Sequence, residues 1–435
     1  MQDSWRFAGT SRELRCSTLT RRVFQSEERS VAVSKMSASN SSRSAGEVAL
    51  LFLKLGCIAF GGPAAHIALM RREVVVRRRW LDEQQFLDLL GASNLIPGPT
   101  STELAIYLGY ARAGRLGLVL AGALFILPAM LLVLAFAWTY VRYGATPQAA
   151  ALLYGIKPVI IAVIVEAIYA LLRPAVKNWR LGLAAAAALS LYLLGQNPLI
   201  PLFGLSLLVM LVENRGRLPS GARAGGAGRG GHIVLVLPAA PGAADVLAHA
   251  GGPIAAGAAG FSLAALFLTF LKIGATLYGS GYVLLAFLRD DFVRRLGWLT
   301  DRQVLDAIAV GQFTPGPVFT TATFIGYLTG GWPGAVAATV GIFLPAFVLV
   351  AAVYPLVPRL RTSPWTAAFL DGANAAALGL MAAVAWQLGA TSLVDPFTAA
   401  LALAAAGLLI RSRVNSAWLV LGGAVAGAAS RLALG

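Results

Sequence analysis

Between Leu116 and Val141 the chain carries no charged side chain, and this run constrains the fold more than any other feature. A bilayer core takes about 20 mostly apolar residues per helix. A second run, Ala149 to Leu172, holds only Lys157 and Glu166, and Ala335 to Val357 and Ala367 to Leu388 repeat the pattern later. With 58% apolar and 12% charged residues in 435, the chain has too little charge to cover a soluble surface. The expected fold is all-α, a polytopic transmembrane helical bundle of about 10–12 membrane segments.

The apolar runs belong to an internal repeat. Phe52-Leu53-Lys54-Leu55-Gly56, Trp80-Leu81, Gln85, Asp88 and Pro97-Gly98-Pro99 recur 218 residues later as Phe270-Leu271-Lys272-Ile273-Gly274, Trp298-Leu299, Gln303, Asp306 and Pro315-Gly316-Pro317. After one deletion the offset becomes 217 and matches Gly109-Tyr110 to Gly326-Tyr327, Gly117 to Gly334 and Pro128 to Pro345. The chain therefore divides into a Ser/Arg-rich extension (1–45), a first repeat (46–213), a Gly/Arg-rich linker (214–261) and a second repeat (262–435). The extension reads as disordered, and an over-long gene start with Met36 as the working first residue is the plainer account of it. The linker composition cannot bury a core. Repeated halves are a construction principle of secondary transporters, whose substrate site lies between the halves near the midplane.

Orientation stays open. Arg71 to Arg79, Arg112 with Arg115, and Arg173 to Arg180 mark three basic loops, which the positive-inside rule places in the cytoplasm. The matching loops after Gly326 and Leu388 lack Lys and Arg, which favours inverted halves. Arg289, Arg294, Arg295 and Arg302 mirror the first basic loop and argue for parallel ones.

The net charge of +16 is read as lipid-headgroup contact and topology control, with no nucleic-acid partner. Two separated cysteines and three histidines offer no disulfide framework, no metal set and no cofactor site. No catalytic cluster of His, Asp or Cys falls inside a span, so a membrane-embedded enzyme is disfavoured.

The strongest local signal is Asn94-Leu95-Ile96-Pro97-Gly98-Pro99-Thr100 with its partner Gln312-Phe313-Thr314-Pro315-Gly316-Pro317 and the following Thr320. Helical hydrogen bonding cannot run through Pro-Gly-Pro. Backbone freed at membrane depth is tolerated only where protein buries it or it lines a wet cavity. The hydroxyls beyond the break are expected to cap a second half-helix, whose N-terminal amides favour an anion. A kink at the membrane edge is the plainer alternative. Gly61-Gly62-Pro63 with His66 breaks another apolar run, and Tyr278-Gly279-Ser280-Gly281 keeps its glycine character; close helix packing explains such glycines equally well. Lys54 and Lys272 hold equivalent places inside apolar segments, where an ionisable residue is costly and by default functional, unless it snorkels to the interface. Glu103 and Glu166 have no acidic counterparts in the second half and are candidates for proton coupling. Asp88 and Asp306 match each other and read as structural ion pairs near the interface. Basic residues, half-helix N-termini and hydroxyls together suit a tetrahedral oxyanion.

Phe60-Gly61-Gly62-Pro63-x-x-His66 with Arg71 and Arg72, both Pro-Gly-Pro elements with upstream Asn94 or Gln312, and the two Gly-Tyr pairs resemble the chromate ion transporter family, in its long-chain branch with two homologous halves. The resemblance covers about residue 47 to the end, outside the linker. It implies a non-enzymatic secondary transporter that exports chromate across the bacterial inner membrane and confers chromate resistance, with sulfate as the look-alike substrate. The family's motif residues carry over as Gly61, Gly62, Pro63, His66, Pro97, Gly98, Pro99, Gln312, Pro315, Gly316 and Pro317; Asn94 departs mildly from Gln312. Sulfate uptake is the runner-up reading, a channel a third, and a homodimer an open question.

Overall fold

The computed structural model describes residues 44–60, 62–144, 146–215, 261–278, 283–354, 363–412 and 416–434. The extension before residue 44, most of the linker, Gly61 and Gly279-Ser280-Gly281 lie outside the described residues. Among those described, every regular element is helical, as the long apolar runs require.

The first repeat begins with α1 (44–58), then α2 (Pro63–Arg71), which continues as π-helical turns over Arg72–Arg77. Next come α3 (Glu83–Ser93), α4 (Thr100–Tyr143), α5 (Pro147–Ala175), α6 (Trp179–Leu193) and α7 (Leu199–Glu213). The second repeat runs through α8 (Leu263–Thr276), α9 (Leu284–Leu288) with π-helical Arg289–Arg295, and α10 (Asp301–Phe313). It ends with α11 (Thr321–Val353), α12 (Pro364–Ser392), α13 (Pro396–Ser412) and α14 (Ser416–Leu434). The local signals recur with the repeat. Asp82 and Gln85 close a capping box at the start of α3, and Thr300 and Gln303 close the matching one at α10.

Among the described residues four helices are long and apolar enough to cross a membrane: Thr100–Tyr143, Pro147–Ala175, Val318–Val353 and Pro364–Ser392. Two of these do not run straight. A straight helix of 44 residues would be about 66 Å long, twice the hydrocarbon thickness. In α4 the backbone turns at Ala113 and Gly114, where Gly114 has φ 59°, and in α11 it turns at Gly330 and Gly331, with φ 61° at Gly331. Each therefore folds into a short arm (100–112, 321–329) and a long arm (115–143, 332–353). The arms meet glycine to glycine. A Cβ on Gly109 would collide with the Gly117 carbonyl, and one on Gly326 with that of Gly334. Thr323 and Thr339 are hydrogen-bonded across the second pair at 2.7 Å.

The segments before each break fold back as well. The Arg112 guanidinium, at the end of the short arm, lies 5.2 Å from the Trp80 ring just ahead of α3. Thus α3 and the short arm form a hairpin that enters and leaves on one face, with Pro-Gly-Pro at its buried tip. Lys54 on α1 bonds Glu73 at 3.1 Å, so α1 and α2 form a second hairpin, with Ala59, Phe60 and Gly62 near its tip.

The two long arms run antiparallel. Phe347, near the end of one, packs where a Cβ on Gly122 would sit, near the start of the other; the Tyr110 ring lies 4.4 Å from that of Tyr354, tilted against it, and Tyr140 meets Phe324 at 5.2 Å. The halves are therefore inverted, and their hairpins enter from opposite faces. The basic stretches Arg71–Arg79, Arg112 with Arg115, and Arg173–Arg180 then share one face, whereas Arg289–Arg302 sit on the other. The mirrored arginines that argued for parallel halves are compatible with inversion because they also form a built network. Arg71 pairs with Glu83 and Arg289 with Asp301, in equivalent positions. Long α5 is clasped by α13 and α14, and α12 by α6 and α7, which closes the bundle around the broken tips.

Candidate anion site

The tips of the broken hairpins meet across the repeats. The Gly98 amide donates to the Leu277 carbonyl at 2.8 Å, and the Gly316 amide to the Ala59 carbonyl at 2.8 Å. Donors and acceptors are each 218 residues apart in sequence, so one contact is made twice. Both glycines hold positive φ, 138° and 93°, backbone that side chains with a Cβ avoid. His66 Nε2 lies 3.0 Å from the same Ala59 carbonyl, and its ring meets Phe125 edge-on at 5.7 Å.

A cavity of about 940 Å³ opens beside these tips and extends to the C-terminal turn of α5, on the face of the Arg71–Arg79 loop. It is lined by both repeats. Of the residues singled out from the sequence, Gly62, Pro63, His66, Asn94, Gly98, Pro99, Thr100, Glu166 and Pro317 reach its wall. Two half-helix N-termini open onto it, the short arm at Thr100 and Ser101 and the 3-10 turn at Val318 and Phe319.

The expected hydroxyl caps are absent. Neither half-helix has a side-chain cap at its N-terminus; Thr320 donates instead to the Pro317 carbonyl and Thr321 to that of Val318, both at 2.8 Å. Proline occupies each N-cap, so the hydroxyls fall inside the first turn; those of the second repeat point back to carbonyls, whereas Thr102 Oγ1 in the first is buried without a hydrogen-bond partner. The amide ends are left for another acceptor.

The remaining residues stand away from the cavity wall. Lys54 bonds Glu73, which Arg77 also reaches at 2.7 Å, and Lys272 bonds Asp291 at 2.5 Å with Arg295 at 3.0 Å. These are the same network in each repeat, and they anchor the outer hairpins. Among the described residues no Lys or Arg lines the cavity, so an anion there would meet backbone dipoles and neutral donors, not the cations the sequence suggested. Pro97, Pro315, Gly316 and Thr320 form the tips behind the wall. Gln312 is buried with Nε2 unbonded. Glu103 is fully buried beneath Gly98, where a Cβ would overlap its Oε1, and both carboxyl oxygens lack a hydrogen-bond partner. Asp306, expected near the interface, is buried; it accepts from Tyr140 at 2.8 Å and lies 3.7 Å from Lys157. No group of three or more metal-ligating side chains occurs among the described residues.

Polar wall residues that the sequence reading did not single out include Ser416 and Asn374. Asn374 stands 217 residues after Lys157, and comparing charge across the repeat would have drawn attention to that pair. Near the start of α5, the Tyr154 hydroxyl donates to Asp395 and holds that carboxyl below the usual aspartate range, helped by the Thr398 amide.

Inverted repeats, hairpins broken at mid-depth and a cavity at their junction define an integral membrane protein of the transporter class. A family model described as chromate transporter matches residues 46–211 and 264–428. The chain is 34% identical over 382 residues to a chromate transport protein of Cupriavidus metallidurans, covering 87% of this chain and 91% of that one. It is 34% identical over 393 residues to a chromate transport protein of Pseudomonas aeruginosa (86% and 90%), and 34% over 355 residues to a probable one of Synechococcus elongatus (79% and 84%). No solved structure matches. The chain belongs to the chromate transporter family.

Proposed function

We propose that this chain exports chromate from the bacterial cytoplasm, loading it into the cavity between the two repeats. The observation that carries the reading is the meeting of two uncapped half-helix N-termini at one cavity wall. Amide dipoles suit each oxygen of a tetrahedral dianion without a fixed cation that would hold it too tightly. By the positive-inside rule the face with Arg71–Arg79, Arg112, Arg115 and Arg173–Arg180 is cytoplasmic, so the cavity opens where an exporter loads. An inside-negative potential drives a dianion outward. One charge across 100 mV is worth about 2.3 kcal/mol, and two gain about 4.6.

One feature supports a second reading. Glu166 is a carboxyl on the cavity wall, and its charged form repels a dianion. A proton bound with the anion would relieve that repulsion and suit uptake of sulfate by proton symport. Everted vesicles decide between them. Labelled chromate should accumulate under an inside-positive potential, compete with sulfate and need no pH gradient. Accumulation that follows an imposed pH gradient at clamped potential supports symport. No flux of either ion under any gradient rejects both.

A further inference from the structure

A second cavity, of about 700 Å³, lies on the opposite face, lined by the first turns of α5 and α10 and the last turn of α12. We propose that it is a second oxyanion site on the same route, formed by Lys157, Arg302 and Ser392, at which the ion stops as it passes to the far side. This rests on the anion pathway argued above.

Three observations carry it. Lys157 sits ten residues inside α5, about 15 Å from its start, with its side chain only 16% exposed. Among the described residues its ion-pair partner is Asp306, with Oδ1 at 3.7 Å, beyond hydrogen-bond length, so the ammonium keeps donors for another acceptor. The Tyr140 hydroxyl donates to the other oxygen, Oδ2, and Oδ1 has no hydrogen bond, so Asp306 offsets part of the Lys157 charge without taking up its donors. Ser392 is 5% exposed and its Oγ has no hydrogen-bond partner, although it lines the cavity. A buried hydroxyl left unbonded costs about 1–3 kcal/mol, and a bound oxyanion would accept from it.

The charge balance points the same way. Lys157 and Arg302 line the cavity, and the one wall carboxylate, Asp301, is held by Arg289 at 2.6 and 3.1 Å. The two cavities are counterparts under the repeat, since Lys157 corresponds to Asn374 on the wall of the first. One helix, α5, threads both. Neutral donors at the loading cavity and cations at the second would make an uneven route, with the stronger electrostatic pull on the exit side.

The test uses thiol protection in the full chain, with Cys16 and Cys57 replaced by serine, reconstituted in zwitterionic phosphatidylcholine so that no anionic headgroup competes. Thr391→Cys reports the second cavity and Ala170→Cys the first, both labelled with an anionic methanethiosulfonate. Sulfate is the probe, because chromate oxidises thiols. At about four times its Kd, mass action should slow labelling of Thr391→Cys about fivefold. Adding Lys157→Gln should abolish that protection, and Arg302→Gln, a change at an exposed side chain, should weaken it, with Ala170→Cys protection unchanged in both. Protection of Ala170→Cys without any at Thr391→Cys overturns the second site and leaves the first. Absence of protection at both overturns the anion pathway itself. Protection at Thr391→Cys that survives both substitutions removes the cations from the site and overturns the assignment.

Discussion

Gly98 donates its backbone amide to Leu277 at 2.8 Å, tying the broken tip of one repeat to the interrupted helix of the other. The reciprocal bond from Gly316 to Ala59 makes the contact a latch at the pseudo-twofold axis. Because φ is 138° at Gly98 and its missing Cβ is the space taken by Glu103 Oε1, Gly98→Ala must either rotate the peptide or move the buried carboxyl. Holding a residue with a Cβ in such backbone costs about 1–3 kcal/mol. Gly98→Ala is expected to insert in the membrane at near-normal levels and lose at least about tenfold in chromate flux. Near-normal flux would show that the latch is not part of the pathway.

Glu166 offers a test of coupling. Under potential-driven export its carboxyl is an obstacle to the dianion, so Glu166→Gln should raise apparent chromate affinity, by up to about tenfold for an interaction near 1.4 kcal/mol. The dependence on potential should remain. If Glu166→Gln instead removes a dependence of flux on pH gradient while counterflow persists, the proton-coupled reading replaces it. Initial rates in vesicles with clamped potential and pH separate these outcomes.

The repeat, the helical class and the broken tips were legible because they leave marks in side-chain type: runs without charge, Pro-Gly-Pro twice in register, and Trp-Leu, Gln and Asp at matched positions. The cross-repeat latch was not legible, since Gly98 and Leu277 meet through backbone atoms alone. In α4 the turn itself was legible as the basic loop at Arg112 and Arg115, but the close return of the two arms was not, since Gly109 and Gly117 also meet through backbone. Lys54 and Lys272 show the opposite case. Their partners Glu73 and Asp291 each lie 19 residues further along, a spacing the sequence does contain, and reading it would have identified paired lysines.

The glycine contacts inside each hairpin predict where bulk is tolerated. Gly117→Val and Gly334→Val place side chains into the carbonyls of Gly109 and Gly326, where backbone cannot yield cheaply. Overpacking of this kind costs about 1–3 kcal/mol or more, and both variants should accumulate poorly and elute as aggregates on size-exclusion chromatography in detergent. Gly204→Val, in α7 with nothing within 4 Å of its Cβ position, should accumulate and elute like the parent chain. Equal behaviour of the three would remove the hairpin packing from the stability argument.

The inverted arrangement has a direct consequence for two exposed positions, Arg115 and Trp332, which are equivalent under the 217-residue offset. Each begins the long arm of its repeat just after the turn, at Gly114 and Gly331. Because the long arms run antiparallel, these two starts lie at opposite ends of the bundle. With the native cysteines replaced by serine, Arg115→Cys should react with an impermeant maleimide in everted vesicles and stay protected in intact cells. Trp332→Cys should show the reverse, and its 59% exposure makes it accessible once the reagent is on the correct side. Labelling of both from a single face would mean that the halves lie parallel in the membrane, and the pairing of Tyr140 with Phe324 would then need another explanation.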